Sequence, residues 1–175
     1  MHPLSNFLFC PVCGGTNFHI NNFKSKQCGH CGFTYYANPS AATAAFILRE
    51  GRLLVARRGK EPAQGTLDLP GGFIDMDETA EEGIRREIME ETGMQALGIT
   101  YLFSLPNLYK YSGMTIHTLD MFFHVEVAAE AQPQAADDAA ELFWLPLEET
   151  DPEQFGLMSI RKAVEQFKTL RKLKM

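Results

Sequence analysis

Three glutamates in the stretch Arg86–Gly93, REIMEETG, stand where a helix is about to end. On a wheel at about 100° per residue with Ile84 as origin, Ile88 and Ala80 lie about 40° to either side and define an inward apolar stripe. Glu91 falls about 20° from the origin, inside that stripe, with Glu87 at about 60° and Glu90 at about 120°. Residues three and four apart are neighbours on a helix, so the acids form one patch. Their mutual repulsion and their clash with the helix dipole cost only about 0.2–1 kcal/mol each. Direction matters more. A carboxylate drawn out of water at Glu91 must be paired, protonated or metal-bound. Arg86 reaches Glu90 but not all three acids, and the wheel places it opposite as an exposed cation. A divalent cation resolves the conflict. Hard carboxylate oxygens select Mg2+ or Mn2+, which bridge to phosphate oxygens and acidify a bound water, so phosphate chemistry is indicated.

A second constellation precedes it. All four cysteines fall in the first 31 residues, as Cys10-Pro-Val-Cys13 and Cys28-Gly-His-Cys31. Two such pairs have the spacing of a tetrahedral four-cysteine zinc site, and a reducing setting disfavours the competing reading of two disulfides. Phe18, Phe23, Phe33, Tyr35 and Tyr36 of this ribbon either pack against the zinc site or the next domain or form a stacking platform for bases; packing is the favoured reading.

The elements that must position these groups follow. Turn formers at residues 37–40 divide a ribbon, 1–37, from a second domain, 38–175. Strands are expected over 42–49 and 52–58, a glycine-punctuated loop over 64–75, a helix over 79–92 closed by Gly93, and strands over 97–104 and 115–127. Leu157, Ile160, Val164, Phe167 and Leu170 recur at helical spacing, and residues 128–140 read as a mobile surface loop.

Residues 1–37 hold Lys24, Lys26 and no acid, so their +2 leaves −8 of the net −6 on the remainder. That balance argues against broad electrostatic binding of duplex nucleic acid. No apolar run reaches the roughly 18 residues of a membrane span, and the N-terminus lacks the pattern of a secretory signal, so a cytoplasmic setting is expected.

Gly72, Glu78, Arg86, Glu87, Ile88, Glu90, Glu91, Gly93 and Met94 together spell G-x5-E-x7-R-E-U-x-E-E-x-G-U, with U a bulky aliphatic residue. This resembles the signature of the Nudix hydrolases. The resemblance implies an α/β class fold, an α/β/α sandwich with a mixed sheet, and metal-dependent hydrolysis of a nucleoside diphosphate linked to another group. It implies metal ligands at Glu87, Glu90 and Glu91, a carboxylate among them acting as base, Arg86 orienting a glutamate, and a backbone carbonyl from Gly71. A four-cysteine ribbon before such a domain is similar to the NADH pyrophosphatase branch, whose members also remove NAD caps from RNA. In that branch a glutamate three before a tryptophan adds a metal ligand, and Glu141 with Trp144 matches it. The chain departs from the branch at SLPNLYKYS, where Ser104 and Pro106 stand without the branch's glutamine and tryptophan; Tyr109 or Tyr111 is the candidate substitute aromatic face.

The expected function is hydrolysis of ADP-ribose, NAD(H) or a related dinucleotide or nucleotide sugar. Mg2+ or Mn2+ would serve catalysis and Zn2+ structure. The expected partner is a small nucleoside diphosphate, with nucleic acid unexpected except as capped RNA, and a homodimer is left open. The competing class is a nucleotide sensor whose ribbon contacts nucleic acid.

Overall fold

The computed structural model describes residues 2–136 and 139–173. Its first unit is a three-stranded antiparallel sheet of β1 (Phe18–Asn22), β2 (Ser25–Cys28) and β3 (Thr34–Tyr36). Phe18 is buried with Cys10 and Cys28, and Phe33 packs on them, as the packing reading expects. Phe23, Tyr35 and Tyr36 are instead exposed, with Tyr35 stacked on Phe7. Lys26 is buried, its Nζ donating to the Phe7 carbonyl at 2.6 Å, so it adds nothing to a surface charge.

The second unit is a six-stranded mixed sheet. It contains β4 (Ser40–Arg49), β5 (Arg52–Arg58), β6 (Leu67–Asp68), β7 (Gly98–Tyr111), β8 (Met114–Glu126) and β9 (Ala139–Pro146). β4 and β8 run parallel, and the other pairings are antiparallel. Helices α1 (Ala80–Thr92) and α2 (Met158–Lys172) cover opposite faces. The alternation of strand side chains builds both layers. Ala45, Ile47, Leu54, Phe123 and Val125 meet Ile84 and Ile88 of α1 on one face. Ala44, Phe46, Leu53, Val55 and Phe122 meet Ile160, Val164 and Phe167 of α2 on the other. The rings of Phe46 and Phe167 stack with centroids 4.0 Å apart. This is the expected α/β/α sandwich.

One irregularity makes the site. β4 pairs with β5 only beside their turn, at Leu48↔Leu53 and Arg49↔Arg52, and then diverges. Residues 70–74 fill the split: the Thr43 amide donates to the Gly72 carbonyl at 2.8 Å, and the Ala45 amide to the Pro70 carbonyl at 2.8 Å.

Two expectations change. β7 runs through SLPNLYKYS to Tyr111 instead of ending near Ser104, because β7 is an edge strand that tolerates the missing amide of Pro106. Residues 128–136 are pinned, not a mobile loop. Arg49 donates to the carbonyls of Ala128 and Ala131 at 3.1 and 2.7 Å, and the amides of Gln134 and Ala136 bond the last-turn carbonyls of Thr92 and Glu91. Those amides satisfy helix-end acceptors that have no partner within the helix. Residues 137 and 138 of that segment lie outside the described residues. Among the described residues, no helix is long and apolar enough to cross a membrane.

Candidate active site

α1 starts in a capping box, in which Thr79 Oγ1 accepts from the Glu82 amide and the Glu82 carboxylate accepts from the Thr79 amide. It stops at Gly93, whose φ of 67° is the left-handed conformation that glycine adopts without strain. Between these ends Ile84 and Ile88 are fully buried, and Glu91 is only 8% exposed. The direction read from the wheel is the one observed.

The Gly71-Gly72 loop lies against that face. The Gly71 N–H donates to Glu91 Oε2 at 2.9 Å. Gly71 has a φ of 148°, and a Cβ there would stand 2.2 Å from the Thr43 carbonyl oxygen. A Cβ on Gly72 would stand 2.5 Å from Glu87 Oε1. Gly71 is therefore the condition for the loop to reach the carboxylates, and a side chain at Gly72 would push the Glu87 carboxylate aside.

Arg86 is not the exposed cation the wheel suggested. Its long side chain folds back over the loop, where it grips both Glu78 oxygens at 2.8 and 2.9 Å and the Phe73 carbonyl at 2.9 Å. Its Nη1 bridges Glu87 Oε1 and Glu90 Oε2, each at 2.9 Å. The Glu78 carboxylate in turn holds the guanidinium firmly charged, and the Arg86 hydrogen bonds keep Glu78 below the usual carboxylate range. A positive group thus already stands between Glu87 and Glu90.

These groups wall a cleft of about 300 Å³. Apart from Tyr109, its opposite wall was not anticipated from sequence. Arg58 pairs with Asp68 and donates to the Tyr109 hydroxyl at 3.3 Å; burial pushes the Asp68 carboxyl up while Arg58 pulls it down. Asp120 accepts from Thr118 Oγ1 at 2.6 Å and from Ser159 Oγ. Buried Asn107 also lines the cleft. The available signal was polar residues on alternate positions, Asn107-x-Tyr109 and Thr118-x-Asp120, next to the apolar Phe103, Leu105 and Phe122 of that face.

Of the two candidate tyrosines, Tyr109 lines the cleft, edge-on to Phe73 with centroids 5.5 Å apart, and Tyr111 is exposed outside it. Glu141 lies outside as well. It stands on β9 opposite Arg57, accepts from Arg57 Nε at 3.2 Å, and is 58% exposed.

Among the described residues, Cys10, Cys13, Cys28 and Cys31 are the group whose ligand atoms all lie within 4.8 Å of one another. Their Sγ separations of 3.7 Å (Cys10 to Cys31) and 3.6 Å (Cys13 to Cys28) match the edge, about 3.8 Å, of a tetrahedron with 2.3 Å metal–sulfur bonds. The Cys31 amide draws the Cys28 thiol down to about 6. The Gly15 amide favours the Cys13 thiolate, yet the neighbouring thiols push Cys13 up to about 12. Four sulfurs this close cannot all ionise without a cation. The cluster could hold a zinc ion.

Residues 38–167 match the model of the NUDIX domain. The chain is 32% identical over 119 residues to the NAD-capped RNA hydrolase NudC of Vibrio parahaemolyticus, covering 68% of this chain and 45% of that protein. It is 28% identical over 151 residues to the NudC of Vibrio vulnificus, covering 86% and 55%. The chain thus spans about half the length of the curated relatives it matches. Among solved structures, a MutT NUDIX hydrolase from Burkholderia pseudomallei aligns with a TM-score of 0.64 at 28% identity, covering 74% of this chain and 98% of that one. The NUDIX domain of Shewanella oneidensis NrtR, complexed with ADP ribose, shares the fold at 22% identity and a TM-score of 0.60, covering 77% and 89%. The chain belongs to the NUDIX domain family.

Proposed function

We propose that the chain is a divalent-metal-dependent pyrophosphohydrolase that splits the diphosphate of a nucleoside diphosphate derivative. The observation that carries this is the convergence of Glu87, Glu90 and buried Glu91 on one wall of the cleft, with Arg86 Nη1 bridging two of them. The donor set fits Mg2+ or Mn2+: hard oxygens, one of them partly desolvated, where the fold already places positive charge. Glu87, Glu90 and Glu91 would hold the ion, joined by the Gly71 carbonyl, since the carbonyls of Pro70 and Gly72 on either side are taken up by β4. When bound, such an ion neutralises the diphosphate and makes a coordinated water more acidic. One of the carboxylates takes the proton from the attacking water, and Arg86, itself anchored by Glu78, fixes the orientation of Glu87 and Glu90. Glu141 is left out of this set because its ion pair with Arg57 lies outside the cleft. The four cysteines would hold a structural Zn2+ in a reducing, cytoplasmic setting.

ADP-ribose and NAD(H) are the first substrates to try, given the Nudix signature over residues 72–94 and the relatives' name as NAD-capped RNA hydrolases. The test is product analysis with ADP-ribose, NADH, a nucleotide sugar and NAD-capped RNA, in Mg2+, in Mn2+ and in chelator. Metal-dependent release of two phosphomonoesters, such as AMP and ribose 5-phosphate from ADP-ribose, is expected. Tight binding of a nucleotide with no turnover of any of the four would favour the sensor instead.

A further inference from the structure

β7 buries a single one of its fourteen residues, and that residue is an asparagine. Asn107 is 6% exposed and lines the cleft on the wall facing the carboxylates. Among the described residues its carboxamide makes no hydrogen bond, although its neighbours are well engaged. Thr118, directly across on β8, donates to Asp120, and Asp120 is taken up further by Ser159 of α2. Two residues along on the same face, Tyr109 is held by Arg58 and meets Phe73 edge-on. Its amide oxygen and nitrogen are not sealed in the interior, where Thr43 Oγ1 is the unpartnered polar atom among the described residues; they face the cleft, where an occupant can meet them.

We infer that Asn107 is a specificity-determining residue that reads the ring of the substrate, a reading that rests on the pyrophosphohydrolase proposal. A carboxamide offers one donor and one acceptor side by side, so it pairs with a planar ring that carries an adjacent acceptor and donor. Phe73 and Tyr109 supply apolar ring surface beside it, and the Asp120 carboxylate, fixed by two hydroxyls, supplies a further acceptor. Two chemistries meet the requirement: the edge of adenine and the carboxamide of a nicotinamide ring. Bare sugar phosphates do not.

Calorimetric titration with AMP, nicotinamide mononucleotide and ribose 5-phosphate, each with Mg2+, separates these sources without needing turnover. The wild type is expected to bind AMP or nicotinamide mononucleotide at least about tenfold more tightly than ribose 5-phosphate, and whichever wins names the ring. Asn107→Leu should erase that preference while leaving ribose 5-phosphate binding unchanged, and should melt no lower than the wild type, because it breaks no hydrogen bond of the fold and adds apolar surface beside Leu105. Asn107→Asp, which keeps size and acceptor but loses the donor, should weaken the preferred ring by about 10- to 100-fold. Equal binding of all three probes by the wild type, a preserved preference in Asn107→Leu and Asn107→Asp, or a lowered melting temperature in both would overturn the inference. Failure of the wild type to hydrolyse any diphosphate would instead remove the activity while these binding readouts still decide the role of Asn107.

Discussion

The backbone N–H of Gly71 donates to the carboxylate of Glu91 at 2.9 Å, across twenty residues of chain. That bond ties the loop that fills the β4–β5 split to the helix that carries the acids, so the position of Glu91 depends on a residue with no side chain.

Gly71→Ala should therefore damage stability and activity together. Its Cβ would stand 2.2 Å from the Thr43 carbonyl oxygen at a φ of 148°. Backbone strain of about 1–3 kcal/mol is expected. Displacement of Glu91 should lower kcat/KM by about 10- to 100-fold. Urea unfolding and steady-state kinetics measure both; a variant as stable and active as the wild type would show the loop to be incidental.

Glu141→Gln should leave kcat/KM within about twofold of the wild type, because an exposed ion pair contributes little. A fall of about a hundredfold would instead restore Glu141 to the metal-binding set, as the branch resemblance implies, and would require β9 to rearrange.

The ribbon should carry about one zinc per chain by elemental analysis. Cys28→Ser should lose that zinc and cost several kcal/mol of ribbon stability, since metal binding supplies most of the folding free energy of so small a unit. Full zinc content in the variant would contradict the four-sulfur site.

Acid should loosen the Arg86 hub. Glu78 titrates below its ordinary value because Arg86 favours the charged form, so its stabilisation is complete above the unfolded carboxyl value of about 4.3 and is lost as pH falls through the lower folded value. The stability difference between wild type and Glu78→Gln should be constant from about pH 8 to 6 and shrink below about pH 4.3. A difference unchanged down to pH 3 would mean that the pair is not coupled to folding.

The carboxylate wall was legible because it is local. Glu87, Glu90 and Glu91 share one helix, and their directions follow from 100° per residue. The Gly71-Gly72 loop and Gly93 announce themselves by residue type. The opposite wall was not legible, because Asn107, Asp120, Arg58, Asp68 and Ser159 come from five elements that only the parallel β4–β8 pairing and the docking of α2 bring together. SLPNLYKYS read as a departure from a motif, whereas in the fold it is strand that delivers Asn107 and Tyr109 to the cleft. Arg86 was misplaced for a related reason: the wheel gives the direction of Cβ, and the reach of a guanidinium on a three-methylene stem around the loop lies beyond it.

The proposed hydrolysis requires a metal ion held by Glu91. Mn2+ titration followed by electron paramagnetic resonance, alongside ADP-ribose hydrolysis, tests it in wild type and Glu91→Gln. In the variant, Mn2+ binding should be weakened at least about tenfold and kcat lowered about 10²- to 10³-fold, with a metal-free melting temperature no lower than the wild type, because a buried charge has been removed. Unchanged Mn2+ affinity and unchanged turnover in Glu91→Gln would contradict it.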